Sequence, residues 1–598
     1  MSAPIKTNQL TYTFDKELFS KNYDIFCIRT SEKHFKNGAY IIDAPLLSNN
    51  VCSVLFKSGR EIFVLMKSNG SNKSLLKNAI LKEDGADRIT ISQVTPNSLK
   101  DDIVFQLMLN SLGNYESPLL KFNNLTGHLY CFHPNWLIRG RKSEADVVFK
   151  VPCLELRLSS EFRLNMEVHT FTSELLRNKI EFKKKKFDEY PKYIFSAHNT
   201  LRRKLKDDVG YSFIMRQTKN AKTEIAFLDI QNIDRFNQSK MGILTTVLEN
   251  FNDRFSSIAH LDFESITDYK ALDYTRSVAN ENKQAISELL SIKPIKIVDC
   301  IDDEYSKIFC KEICDLLLSK YGIKTSCGKR VAKDHLNIRV IHNAAFYADS
   351  DDPHRIFNDV AVQHITFEDF SECSEFAIST VIHEMLIKAD LVKQKISLFD
   401  WNTLGLKDDI DFGIEVTDEQ NTKYIFMTIH PDGTFNISEQ TLNLFEANKY
   451  NQCVEIFENA KMNSAKVHGI IRDALGNINI IKDTEWFTIP EIYSIKAELA
   501  NGNTKLRGKE KRNELLSSCL DIKMFNDGVS EYYFVGTIGN GMRCLINRAA
   551  NIRKIEPFED SILMFEKLLP LMNVTFVHNG QLTIIPFPFK YLREHLNK

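Results

Sequence analysis

The sequence predicts a multidomain α/β protein, and three features carry the prediction. From Pro294 onward, short apolar strands alternate with amphipathic helix. From Asp409 a strand, a hairpin, a helix and another strand follow in order. Before both, strand-like runs and turns give α+β character. At about 150 residues per domain, the 598 residues suit roughly four domains. The expected boundaries enclose residues 1–110, 111–293, 294–400 and 401–598.

The N-terminal segment reads as strands at YDIFCI, EIFVLM and ITISQV, and strands return in DVVFKVPCLELRL and RLNMEVHTFT. A basic stretch follows. Between Arg177 and Lys222 there are fourteen Lys and Arg against five acids, with Phe182, Phe187, Tyr190, Tyr193, Phe195, Tyr211 and Phe213 interleaved. Basic and aromatic residues together suit a phosphate-tracking surface. They suit equally a solvated strand pair with its aromatics in the core. After Pro294, IKIVDCI reads as a buried strand. A helix is expected over Tyr305–Tyr321, where Ile308, Phe309, Ile313, Leu316 and Leu317 recur at helical spacing and Gly322 stops it. NIRVIHNA and VAVQHITF are further strands, and a helix closes the segment near Lys393, so a small parallel sheet is expected. Beyond Asp409, IDFGIEV is a strand and Pro431–Asp432–Gly433 turns a hairpin. Helices are expected from about Gln440 to Asn459, from Pro490 to Leu499 and from Glu559 to Met572, with strands at KVHGIIRD and YYFVGTI.

A net charge of −1 does not announce a nucleic-acid binder, although local basic residues balanced by acids elsewhere still permit one. The twelve cysteines have no paired spacing. Cys310 and Cys314 share a helix face and read as buried thiols. His128, Cys131 and His133 lie in a strand-like run whose alternation sends them to two faces, which argues against a metal there. Without an apolar signal core or a run of about 18 apolar residues, the expected compartment is the cytoplasm, with no membrane partner. The P-loop, dinucleotide, zinc-protease and nucleophile-elbow motifs are absent.

The order strand, hairpin, helix and strand ending in Arg–Asp is that of an RNase H-like fold. Preceded by a small Rossmann-like domain and followed by IIPFPFKYLREHL, it resembles the MID–PIWI half of prokaryotic Argonaute proteins over residues 294–598. Gly413-Ile414-Glu415-Val416 is similar to the family's GIDV strand, Arg472-Asp473-Ala474 to its Arg-Asp-Gly, and Asn573 falls at its last catalytic position. The resemblance implies a Rossmann-like MID domain, an RNase H-like PIWI domain and a reduced or missing PAZ domain. It also implies a degraded nuclease site, because RNase H-type cleavage needs several carboxylates around two metal ions. Here Glu415 displaces a carboxylate, Asn573 removes a charge and Asp473 remains. The family's mobile Glu has no clear match, although Glu439 and Glu446 lie in the right region.

The resemblance further implies a pocket for the 5′ end of a guide strand, formed by His354, Arg355, Gln363, Lys388 and Lys393. A Mg²⁺ there would bridge to the carboxylate of Lys598. Lys183, Lys184, Arg202, Arg203, Arg543, Arg548, Arg553 and Lys554 would follow the guide or target backbone. The implied function is guide-directed recognition of a complementary strand in prokaryotic defence, without cleavage by this chain and with a protein effector as partner. Two other readings stay open: an active nuclease using Glu415, Asp473 and Asp409 or Asp411, and a structural subunit without a guide.

Overall fold

The computed structural model describes residues 4–32, 51–80, 88–114, 121–123, 127–140, 147–182, 186–195, 201–204, 207–216, 225–272, 286–347, 357, 359–368, 375–398, 400–417, 422–440, 448–463, 465–502, 522–535, 551–564, 568, 571 and 586–596. The chain divides into two compact units. The first holds Met1–Thr267 together with Glu485–Leu520 and Thr537–Asn551, and the second holds the rest. The expected 1–110 and 111–293 segments therefore fall mostly in one unit, and residues 294–400 fall wholly in the other.

In the first unit, the strands Val51–Ser58, Glu61–Lys67, Tyr23–Thr30 and Ile89–Val94 form an antiparallel sheet in that order. Phe26, Ile28, Val54 and Val64 pack there with Leu76 and Ile80 of the helix Asn72–Ile80. A second antiparallel sheet is centred on Val148–Leu158, flanked by Leu129–Phe132 and Leu164–Ser173. The aromatic residues of the basic stretch belong largely to cores: Tyr193 and Phe213 pack with Phe132 and Phe171, and Phe187 with Ile180 and Ile214. Ile5–Phe14 pairs with Ala259–Ile266, and its Lys6 and Thr7 also pair with Ile489 and Thr488.

The second unit opens on four parallel strands, ordered Ser326–Gly328, Ile295–Asp299, Leu336–Ile341 and Val362–Thr366. The expected parallel sheet is thus present. Its first helix, Glu304–Tyr321, starts at a capping box of Asp303 and Ser306 and stops at Gly322, whose φ of 70° an L side chain rarely adopts. The helix Glu375–Lys393 packs back onto the last two strands.

A larger sheet follows. In the second unit its strands run in the order Lys270–Leu272, Ile522–Asn526, Glu531–Val535, Asn551–Pro557, Ile478–Ile489 (as far as Thr484), Val467–Asp473, Ile410–Thr417, Thr422–Ile429 and Phe435–Gln440. Period-two alternation divides its faces. Phe412, Ile414, Met427 and Ile471 face a core shared with Phe587, Phe589, Tyr591 and Leu592 near the chain's end. Tyr424, Phe426, Ile470 and Ile480 face the helix Asn451–Met462 through Val454 and Phe457. The final helix, Pro588–Leu596, approaches the sheet closely: a Cβ on Gly469 would lie 2.4 Å from the Phe589 ring.

Two expectations for this region are corrected. Gln440 ends a strand rather than starting a helix, and the helix begins at Asn451. The helix expected from Glu559 does not start there, although the chain is helical at Leu568 and Leu571 further along. The fully buried Asn479 donates to Ile562 O (2.9 Å) and accepts from Met564 N (2.9 Å), which ties that segment to the sheet edge by bonds a helix would need internally.

Candidate functional site

Gln363 lies on the edge strand of the parallel sheet, opposite Ile338. Its Nε2 donates to Glu384 Oε2 at 2.7 Å, while its Oε1 is buried without a hydrogen-bond partner. Glu384 and Lys388 stand one turn apart on the helix Glu375–Lys393 and therefore share a face. The final helix packs against this helix, and Tyr591 OH donates to the buried Asp390 Oδ2 at 2.7 Å. Lys590 and Glu594, again one turn apart, are thereby brought near Glu384 and Lys388.

The four charged groups perturb one another. Burial pulls Lys388 below the ordinary lysine range, against the opposing pull of Glu594 and Glu384. Burial lowers Lys590 further, to about 8, despite Glu384 and Glu594. Burial raises both carboxyls, and the two lysines oppose that rise. Beside them, burial together with Lys590 and Lys320 lowers His383 to about 4. Half-buried charges whose titration is mutually shifted, beside an unsatisfied amide oxygen on Gln363, are a candidate functional site.

Of the residues expected at a guide-end pocket, Gln363 and Lys388 both border Glu384 here. Lys393 is exposed in the last turn of its helix, and its charge acts on Lys293. His354, Arg355 and Lys598 lie outside the described residues. Sequence reasoning missed Glu384, Lys590 and Glu594. The available signal was a pair of one-turn Glu/Lys spacings, Glu384–Lys388 and Lys590–Glu594, the second within a closing segment already singled out. Glu384 and Glu594 are the described carboxylates here, and the Lys598 carboxylate, through which the implied Mg²⁺ would bridge, lies outside the described residues.

The expected nuclease positions are arranged differently. Asp473 pairs with Ile410 across antiparallel strands, whereas Glu415 pairs with Tyr424 five residues further along. That separates the two by about 17 Å of strand, so they do not share a metal site. Asp473 instead holds a turn, with its Oδ1 accepting from Leu475 N and Asn477 N and its Oδ2 from Asn477 Nδ2. Glu415 lies 3.9 Å from Lys461, and Glu439 pairs with Lys423 on the sheet surface. Asn573 and Glu446 lie outside the described residues.

Asp411 is the buried carboxylate of this region. The ladder sets it in one row with Thr428 and Arg472. Its oxygens take Thr428 Oγ1 (2.5 Å), Lys449 Nζ (2.9 and 3.2 Å), Tyr450 OH (3.1 Å) and Arg472 Nη1 (3.3 Å). Hydrogen bonding to Asp411 overcomes burial and raises Lys449. Asp409 pairs with His430 at 2.8 Å.

The expected backbone-tracking cations are also partnered. Arg202 forms a bidentate pair with Asp208, both bonds 2.7 Å, and Arg203 lies over the Phe56 ring. Arg553, expected at the surface, is 5% exposed and donates to Asp483 at 2.9 Å, which corrects its assignment to an exposed phosphate-binding cluster. Lys554 pairs with Glu556. Lys183, Lys184, Arg543 and Arg548 lie outside the described residues. Among the described residues no helix is long and apolar enough to cross a membrane.

No protein-family model matches the chain, and no curated protein matches it. Solved structures of Argonaute and Piwi proteins are similar to it over nearly its whole length. One is Argonaute of Marinitoga piezophila in complex with 5′ OH guide RNA and target DNA, at 10% identity and a TM-score of 0.41, covering 98% of this chain and 97% of that one. Another is Drosophila Piwi, at 11% identity and a TM-score of 0.41, covering 99% of this chain and 96% of that one.

Proposed function

We propose that the chain binds a short guide nucleic acid and uses it to recognise a complementary strand, without cutting that strand itself. It would act in the cytoplasm in prokaryotic defence, with a separate effector protein carrying out the consequence. The observation that carries this reading is the cluster around Glu384, which accepts from Gln363 Nε2 at 2.7 Å and interacts with the half-buried ammonium groups of Lys388 and Lys590, while the Gln363 amide oxygen is left unsatisfied. The ammonium groups suit an anionic strand end, and the amide oxygen suits a ligand donor. Base pairing would then read the target. The separation of Glu415 and Asp473 and the engagement of Asp411 by two cations support the inactive reading, since these described carboxylates are not grouped to hold two metal ions.

Gln363→Ala combined with Lys388→Ala is expected to weaken guide binding by roughly tenfold or more, since a hydrogen bond to a charged group is worth about 1.5–3 kcal/mol. Filter binding with labelled 5′-phosphate and 5′-hydroxyl oligonucleotides at several salt concentrations reads this. In the same experiment, a matched target should stay intact with Mg²⁺ or Mn²⁺. Wild-type affinity in the double variant would displace the site, and a cut at a defined position would overturn the inactive reading.

A further inference from the structure

A second cluster lies in the first unit, on one face of its larger antiparallel sheet. Glu155 is central on Val148–Leu158, with Tyr130 opposite it on one neighbouring strand and Glu167 opposite it on the other. His169 stands two residues beyond Glu167 and so shares its face, while His128 stands two residues before Tyr130 and shares that face as well. The same alternation sends Cys131 to the other side. His133 turns away, with its Nδ1 accepting from Asn135 N. The trio His128, Cys131 and His133 therefore does not converge, yet His128 meets partners from strands distant in sequence.

Glu155 is 4% exposed. Its Oε1 lies 2.7 Å from His128 Nδ1 and its Oε2 lies 2.8 Å from His169 Nε2. His169 Nε2 is 3.4 Å from Glu167 Oε2, and Arg157 Nε is 3.6 Å from Glu155 Oε1. Ligand atoms of Glu155, Glu167 and His169 all lie within 4.8 Å of one another. Glu155 Oε1 and His169 Nε2 are buried and meet their neighbours as close ion-pair contacts rather than aligned hydrogen bonds. The three atoms of Glu155, Glu167 and His169 that converge closely suit ligands directed at a common centre.

We propose that Glu155, Glu167 and His169 bind a divalent first-row transition metal ion, Zn²⁺ foremost, with His128, beside the other oxygen of Glu155, completing the coordination. Two imidazole nitrogens with one or two carboxylate oxygens are a common donor set for Zn²⁺. The neighbouring rings hold the imidazoles: Tyr130 lies 5.8 Å from His128 and 6.0 Å from His169 between centroids, and Phe56 lies 6.4 Å from His128. The ligands come from two adjacent strands and from His128, just before a third, so the ion would fasten the middle of this sheet and stabilise the unit around it. His128 and Glu167 face solvent enough to give the ion a route in.

The test is metal binding by the full chain. Metal-stripped protein is dialysed against Zn²⁺, and bound metal is counted by mass spectrometry. Wild type is expected to hold one more equivalent than His169→Ala or His128→Ala, with affinity at this site falling more than about tenfold in each variant. Zn²⁺ should raise the melting temperature of wild type and raise it less in either variant. His128→Ala removes a partly exposed side chain and guards against misfolding of the His169 variant. The Co²⁺-substituted protein should lack a thiolate charge-transfer band from this site, which separates it from binding at Cys314 and Cys327, whose sulfurs are 3.4 Å apart. Equal stoichiometry and affinity in wild type and both variants, or no binding by wild type, would overturn the proposal and leave the cluster as a histidine–glutamate ion pair.

Discussion

Asp411→Ala is expected to destabilise the second unit by about 3–5 kcal/mol, the usual cost of removing one partner from a buried ion pair. The carboxylate is 3% exposed and is reached by Lys449, Arg472, Thr428 and Tyr450. Its loss leaves two cations facing each other without a counter-charge. Trp401 is the only tryptophan of this unit and packs in one core with Ile410 and Phe412, so its fluorescence reports on the strand that carries Asp411. Urea unfolding followed through Trp401, with Trp136 and Trp486 changed to Phe, should show the loss. Adding Lys449→Met and Arg472→Met to Asp411→Ala should recover part of it, because the stranded charges are then gone. An Asp411→Ala chain as stable as wild type would mean that the network contributes nothing to the fold.

Lys590→Gln is expected to act in the opposite sense on stability while weakening binding. In the folded chain Lys590 titrates at about 8 rather than at the ordinary 10.5. Between those values the unfolded chain keeps a proton that the folded chain has lost, so stability rises with pH across the interval. Below about pH 8 the folded chain holds a charge that burial disfavours. Removing that charge should leave the chain at neutral pH as stable as wild type, or more stable by on the order of 1–2 kcal/mol, a figure reduced for the solvent that still reaches the side chain. The rise in stability above pH 8 should disappear. Wild-type affinity for an anionic strand should fall as pH passes upward through about 8, and the variant should bind weakly on both sides. The groups facing Lys590 are His383, Glu384 and Lys388 on one helix and Arg593 and Glu594 on its own. A variant that is less stable and binds as wild type does would make Lys590 a structural residue.

Local signals made the second unit largely legible in the sequence. The capping residues and Gly322 bounded one helix, alternating strand and helix foretold a parallel sheet, and Gly433 marked the hairpin. The start of the helix expected from Glu559 misled, because Asn479, some 85 residues earlier in sequence, holds Met564 to the sheet edge, and the chain is helical only further on, at Leu568 and Leu571. Gln363 and Lys388 were singled out through resemblance, and both stand beside Glu384. Lys590 and Glu594 were not, because nothing local to PFKYLREHL tells which helix it will lie against, and Tyr591 settles that by reaching Asp390 some 201 residues away. Strand register explains the other failure. Glu415 and Asp473 were read as one site from their motifs, but the ladder brings Asp411, not Glu415, beside the Arg472–Asp473 end of its strand. The His128–Glu155–His169 cluster needed three strands brought together, which spacing along one strand could not reveal.

The central claim is that this chain carries a short nucleic acid held at the Gln363–Lys388–Lys590 cluster. Extraction and end-labelling of nucleic acid from protein purified out of its native host tests it most directly. Short strands of narrow length distribution are expected with wild type, and far less should accompany the Gln363→Ala/Lys388→Ala variant. Wild-type protein that yields no short strand, or a variant that yields as much as wild type, would contradict it.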